Sequence, residues 1–240
     1  MKNELKTLPK GDFKDLIYNG IAAGIGAIPH WGPAYAVLFG AVFTKPLEQK
    51  TEAFLKALVD QIVEVEKTVD KINNLVSSES FVASTAQAVT MALMTVSEEK
   101  RQALRNAVIN SVKMKPSEDE RLKYFITIQQ LTPAHMRLLS FFADPYVFAT
   151  VNSLNFELPT GMSSTIPAKN VMRGYEPEFV DILIRDLSNA GLLFQFESSI
   201  TVNSGQSFAN NLTNYGKKFY EFVSAPSATT SDAPAPDSAE

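Results

Sequence analysis

The stretch LIYNGIAAGIGAIPHWGPAYAVLFGAVFT, residues 16–44, contains no Asp, Glu, Lys or Arg and lies between Asp15 and Lys45. Its length exceeds the roughly 20 apolar residues that a membrane-spanning helix needs. Prolines and a glycine interrupt its centre at Pro29, Gly32 and Pro33. Because proline lacks a backbone donor and restricts the residue before it, these positions indicate a turn. The stretch therefore predicts two short helical arms joined by a bend.

Each arm is too short to cross a bilayer alone. At 1.5 Å per residue, arms of this size are about 15 to 18 Å long, against roughly 30 Å of hydrocarbon. Glycine and alanine in the first arm favour close backbone packing. We expect residues 1–46 to form an apolar helical hairpin. The candidate residues for contact with a membrane or partner are Gly20, Gly24, Gly26, Pro29, His30, Trp31, Gly32 and Pro33.

Two interpretations of the hairpin are open. In the first, it packs against the rest of the protein, since apolar runs shorter than a membrane span are more often core. In the second, the bend with Trp31 enters a bilayer interface, where tryptophan is enriched. The first is favoured, and membrane insertion is the alternative.

Residues 47–152 have the pattern of a helical bundle. One apolar stripe recurs at steps of three and four residues and predicts a single helix to about Asn74; its members are Phe54, Leu58, Ile62, Val65, Val69 and Ile72. We expect the stripe to pack on neighbouring helices, with a coiled-coil seam to a second subunit as the alternative.

Capping residues predict the starts of the following helices. Ser97 precedes two acidic residues, and Ser117 with Glu120 makes a capping box. Thr132-Pro133 and Asp144-Pro145 each place an N-cap before a proline in the first turn.

The remaining chain divides into a linker at 153–174, a small α+β module at 175–223 and a disordered tail at 224–240. In the module, a helix with Phe179, Ile182, Leu183 and Leu187 on one side ends before Gly191. A period of two over 192–197 then predicts a strand. The tail is rich in Ala, Pro, Ser, Thr and Asp, a composition typical of disorder.

The module resembles the end of bacterial winged-helix proteins. The resemblance rests on Leu187-Ser188-Asn189-Ala190-Gly191-Leu192 and Leu212-Thr213-Asn214-Tyr215-Gly216-Lys217-Lys218-Phe219. From 168 to 223 there are five basic and six acidic side chains. A DNA-reading helix is expected to be basic, so this balance favours protein contact, with a DNA-binding regulator as an alternative.

A wider stretch resembles the Abi-alpha family of bacterial abortive-infection proteins. It comprises residues 103–108 (ALRNAV), 125–133 (FITIQQLTP), Leu138-Leu139 and the winged-helix-like end. The resemblance implies a role in phage defence or stress and brings no catalytic residues. The N-terminus differs from that family: residues 27–29 with 46–50 (PLEQK) resemble uncharacterised bacterial proteins that join a glycine-proline hairpin to a charged helix.

The sequence offers no catalytic, cofactor or metal site. The chain has no cysteine and only two histidines, His30 and His135, and no metal-ligand spacing is present. His135 stands at a helix start, where a capping or surface role is expected. A net charge of −4 does not favour nucleic acid. We therefore expect a mainly α, non-enzymatic bacterial protein in the cytoplasm, peripheral to the inner membrane in the alternative, whose partner is a protein or a second copy.

Overall fold

The computed structural model describes residues 14, 15, 17–21, 45–66, 69–153, 171–194 and 211–226. This part of the chain is mainly α-helical, as predicted. The helical turns 14, 15 and 17–21 come first, followed by these helices: α1 Lys45–Val65, α2 Val69–Val76, α3 Glu79–Leu93, α4 Glu98–Lys113, α5 Glu118–Gln130, α6 Pro133–Ala143, α7 Pro145–Val151, α8 Pro177–Asn189 and α9 Asn214–Val223.

The described residues form two compact units. The first lies within Met1–Met94, Val108–Lys115 and Ala225–Glu240, and the second within Thr95–Ala107 and Pro116–Ser224. The domain limits drawn from the sequence remain a prediction.

In the first unit, α1 packs on α3 through the predicted stripe. Phe54, Leu58 and Ile62 are at most 3% exposed, which confirms packing on neighbouring helices within the chain. On α3, the fully buried Ser84 and Ala88 are small enough to let the helices approach closely.

The stripe does not continue as one helix, and this expectation was wrong. Helix α1 ends at Val65, and α2 begins at Val69. Between them Glu66 is buried, and its carboxylate lies 3.0 Å from Lys113 Nζ. A buried carboxylate needs a charged partner. The spacing of apolar residues does not reveal which residue that partner is.

The second unit is built around α6. Helices α7, α8 and α9 all pack against it. Beside them, Tyr124 and Phe125 of α5 contact Phe222 of α9, with ring centroids 4.8 and 5.8 Å apart. These aromatic side chains are at most 2% exposed and form the core of the unit.

The predicted helix starts in this unit are confirmed. Ser117 and Glu120 make a reciprocal capping box at α5. The Asp144 carboxylate accepts from the backbone N–H groups of Tyr146 and Val147 at 3.1 and 2.9 Å. These bonds satisfy helix-end donors that have no partner within the helix.

The buried face of α8 differs from the predicted one. Val180, Leu183, Ile184 and Leu187 are buried, whereas Phe179 and Ile182 are each 41% exposed. Positions 180, 183, 184 and 187 keep the three- and four-residue spacing of one helix face. The prediction placed two of its four residues on the wrong side.

The α8–α9 junction, residues 189–194 and 211–216, brings the winged-helix-like motif together. Gly191 has a φ of +76°, and the Leu192 N–H donates to the Leu187 carbonyl at 3.0 Å. The Thr213 hydroxyl donates to the Gly191 carbonyl at 2.6 Å and accepts from the Gly216 N–H at 2.8 Å. One side chain therefore joins the end of α8 to the start of α9.

Gly216 lies directly against the backbone of this junction. A Cβ at Gly216 would lie 2.0 Å from the Leu192 carbonyl oxygen, so only glycine is accommodated. Leu193 and Leu212 form an isolated antiparallel bridge, and the described residues contain no strand. Leu192 and Leu193 are both buried, so the predicted alternation of faces does not begin here. The rest of the predicted strand lies outside the described residues.

Candidate functional site

Of the eight candidate contact residues, the structure describes Gly20. It lies in the helical turns 17–21, is exposed, and a Cβ there would meet nothing within 4 Å. Ile17 and Ile21, on either side, are buried. Gly24, Gly26, Pro29, His30, Trp31, Gly32 and Pro33 lie outside the described residues, so the hairpin stays a prediction. None of the helices that the structure describes combines the length and apolarity needed to cross a membrane.

A cavity of about 360 Å³ opens in the second unit and is the candidate site. Its floor is apolar, and its rim is polar and charged. The floor residues are Ala103, Pro133, Met136, Leu139, Phe148 and Val223. The rim residues are Glu99, Gln102, Arg137, Asn152 and Tyr220, and the buried Asn106 belongs to the wall. We call it the α6 cavity.

Helix periodicity explains how these residues meet. Helix α4 contributes positions 99, 102, 103 and 106, and α6 contributes positions 133, 136, 137 and 140. Both sets follow the i, i+3, i+4, i+7 spacing that places side chains on one helix face. The end of α9 and the inner side of α7 supply the remaining walls.

Asn106 fixes one wall of the α6 cavity. It is 5% exposed, and its amide donates to the Val223 carbonyl at 2.8 Å. Its oxygen accepts from the Gln102 amide at 3.0 Å. A buried amide with donor and acceptor both engaged is held in one orientation, so the carboxyl end of α9 is anchored to α4.

Arg137 supplies the positive charge at the rim. Its guanidinium lies over the Phe148 ring, 6.0 Å from the centroid. Among the residues that the structure describes, no carboxylate lies within 4.0 Å of this guanidinium. At this distance the contact is a cation–π interaction, and the N–H donors at the edge of the guanidinium are not engaged by a carboxylate of the described residues.

Helix α7 presents an apolar outer face beside the cavity. Phe148 and Asn152 line the cavity, whereas Tyr146, Val147 and Val151 are 64%, 57% and 77% exposed. At about 100° per residue, Tyr146 and Val147 fall on the side of the helix away from Phe148 and Asn152, and Val151 lies at the edge of that side. Contiguous exposed apolar surface rimmed by polar residues is typical of an interaction site.

His135 has the capping role expected from the sequence. Its Nδ1 accepts from the Thr132 backbone N–H at 3.1 Å, which leaves the proton of the neutral ring on Nε2. Nε2 lies 3.5 Å from Asp186 Oδ2, without hydrogen-bond geometry. Burial lowers the pKa of His135, and Asp186 opposes this shift only in part. The neighbouring Lys100 adds a further lowering of the His135 pKa.

Lys100 closes the end of α5 next to this ring. Its ammonium donates to the carbonyls of Gln129 and Leu131 at 3.1 and 2.6 Å. Burial lowers the pKa of Lys100. Both bonds go to backbone carbonyls near a helix C-terminus, where a cation is stabilised, so this lysine has a structural role.

Sequence reasoning missed the α6 cavity. The spacing on α4 and α6 was present in the sequence, but a polar helix face that lines a cavity has the same pattern as one that faces water. Within the described ranges, no three His, Asp or Glu side chains cluster as metal ligands would. No family model, curated protein or solved structure matches the chain.

Proposed function

We propose that this chain is a non-enzymatic bacterial interaction protein that binds its partner through the α6 cavity and the adjoining outer face of α7. The exposure of Tyr146, Val147 and Val151 beside a cavity carries the proposal. These side chains leave apolar surface in water, and its burial by a partner is favourable by about 25 cal/mol per Å².

The test compares two exposed apolar surfaces of the second unit. The double variant Tyr146→Ser with Val147→Ser removes the α7 surface, and the control Phe179→Ser with Ile182→Ser removes exposed apolar side chains from α8. We expect self-association, measured by sedimentation velocity, or co-purification of a host protein to be lost in the α7 variant alone. Equal behaviour of the two double variants would contradict the proposal.

We further propose that the interaction serves phage defence or a stress response. The resemblance to the Abi-alpha family supports this role. Expression of the chain in a bacterial host is expected to lower the plating efficiency of at least one phage, and the α7 double variant is expected to restore it. Unchanged plating across a broad phage panel would remove the phage-defence role and leave the binding surface untouched.

We propose a winged-helix-like fold for the C-terminal module, used for protein contact. The joined ends of α8 and α9 support it, since a wing needs its two flanks held side by side. Cross-strand amide contacts between residues 195–200 and 205–210 in an NMR spectrum would test the wing. Five basic against six acidic side chains from 168 to 223 disfavour DNA as the ligand.

Membrane attachment through residues 16–44 is the second candidate function, and the absence of charge from these residues favours it. In this proposal the protein is peripheral at the inner membrane rather than free in the cytoplasm. Wild-type protein is expected to float with liposomes in a density gradient, and Gly24→Leu is expected to abolish flotation without unfolding the chain. Failure of the wild-type protein to float in anionic or neutral vesicles would end this alternative.

A further inference from the structure

Among the residues that the structure describes, the α6 cavity combines an apolar floor with one cationic side chain. Met136, Leu139 and Phe148 provide the floor, and Arg137 stands over Phe148 at the rim. At about 360 Å³ the cavity is at the lower end of the range for ligand sites, roughly 300 to 1,000 Å³. This volume admits the side chains of one or two residues of an extended peptide and is too small to enclose a helix.

The Arg137 guanidinium is suited to a carboxylate. It is planar and presents its donors in a fork that matches the two oxygens of a carboxyl group. The guanidinium carbon lies 6.0 Å from the centroid of the Phe148 ring, and the described chain offers no carboxylate within ion-pair distance. A ligand carboxylate therefore displaces no ion pair of these residues.

Other rim residues limit the class of ligand that the cavity can bind. Glu99 places a negative charge at the same cavity as Arg137, so the two charges sum to zero and a doubly negative group such as a phosphate dianion is disfavoured more strongly than one carboxylate. Gln102 and Asn152 carry amides, which can donate to and accept from peptide groups. The rim is consistent with a singly charged peptide.

We propose that the α6 cavity binds a peptide segment in which a carboxylate adjoins an apolar side chain. The apolar side chain lies on Met136, Leu139 and Phe148, and the carboxylate pairs with Arg137. This inference rests on the proposed interaction function and identifies the part of the partner that enters the cavity. The carboxylate is either a chain terminus or an acidic side chain.

Three synthetic tripeptides distinguish a C-terminal carboxylate from the carboxylate of an acidic side chain. The first is acetyl-alanyl-alanyl-leucine with a free carboxylate, the second is its amide, and the third is acetyl-alanyl-leucyl-aspartic acid amide. Binding to the full-length chain is measured by titration calorimetry. Preference for the first peptide identifies a C-terminus, and preference for the third identifies an internal acidic residue. Equal affinity of all three, or no binding of any, would overturn the proposal.

Arg137→Gln removes the cation and keeps a polar side chain. It is expected to weaken the preferred carboxylate peptide on the order of tenfold or more, as for loss of a charge-assisted pair, and to leave the amide peptide unchanged. Arg137→Lys is expected to restore part of the affinity. Arg185→Gln, an exposed arginine on α8 that does not line the cavity, is the matched control and should bind as wild type does.

Failure here is distinguishable from failure of the proposed function. If Arg137→Gln binds the carboxylate peptides as tightly as wild type does, the ligand assignment is wrong. Loss of partner binding in the Tyr146→Ser, Val147→Ser variant would still support the interaction surface in that case.

Discussion

Helix α1 and the α8–α9 junction are stabilised in different ways. The contacts of α1 are spread over several side chains, whereas those of the junction depend on single groups. Phe54, Leu58 and Ile62 distribute the packing of α1 over three apolar side chains about one turn apart. At the junction, two small groups are decisive: the missing side chain of Gly216 and the hydroxyl of Thr213. Periodic packing retains its other contacts when one position changes, whereas close backbone contact depends on a single residue.

The largest expected effect comes from Gly216→Ala. The new Cβ would lie 2.0 Å from the Leu192 carbonyl oxygen, and the obstructing atom is backbone. Because overpacking against backbone is not relieved by a rotamer change, we expect a loss of about 4 kcal/mol in the free energy of unfolding. Urea unfolding followed by circular dichroism measures it.

Gly20→Ala is the matched control for this substitution. Gly20 is helical and exposed, and an added Cβ meets nothing within 4 Å. Alanine is a better helix former than glycine, so we expect a gain of up to about 1 kcal/mol. Opposite signs for the two glycines support the close contact at the junction, and a gain at both positions would refute it.

Leu58→Ala has the next largest expected effect. Leu58 is fully buried on α1, and removal of a buried leucine side chain typically costs about 3 kcal/mol. The exposed Lys56→Ala on the same helix removes a surface ion pair with Glu52 and should leave the urea midpoint nearly unchanged. Similar urea midpoints for these two variants would show that the stripe does not carry the packing of α1.

The smallest expected effect is a pH dependence associated with His135. Burial holds the pKa of His135 below its usual value of 6.5. The unfolded chain therefore takes up the proton more readily, and acid favours unfolding. We expect wild-type stability to fall as the pH drops from 7.5 to 5.5, measured by urea midpoints at both values.

His135→Gln is expected to reduce this fall. A glutamine three residues after Thr132 can still accept from the backbone N–H, so the capping box is retained while the titrating ring is removed. His30→Gln leaves the His135 ring in place. This variant should retain the part of the pH dependence of stability that comes from His135. An unchanged slope in His135→Gln would assign the pH dependence to other groups.

Much of the fold was predictable because its signals are local. Ser117 with Glu120 and Asp144-Pro145 define helix starts through contacts within four residues. The same holds for Gly191, whose positive φ ends α8. The break after α1 was missed because the apolar spacing continues across it, from Val65 to Val69 and Ile72, as it would within one helix.

The candidate site could not be predicted from local signals. Asn106 lines the cavity because its amide meets the carbonyl of Val223, 117 residues later. On α8, Phe179 and Val180 are both apolar, and only the packed structure decides that Val180 is buried. Patterns within one helix show which faces are apolar or polar, but they do not show what covers those faces.

The two segments of the α8–α9 junction are bonded to each other. The connection between them, residues 195–210, is therefore a site for protein engineering. The Phe194 N–H donates to the Asn211 carbonyl at 3.1 Å, beside the Leu193–Leu212 bridge. Since the flanks are already fastened, each doubling of the intervening length costs only about 0.6 kcal/mol in closure entropy. An affinity tag or fluorescent reporter inserted there is expected to leave the α8–α9 junction in place, because the bonds that join residues 191–194 to residues 211–213 lie outside the insertion.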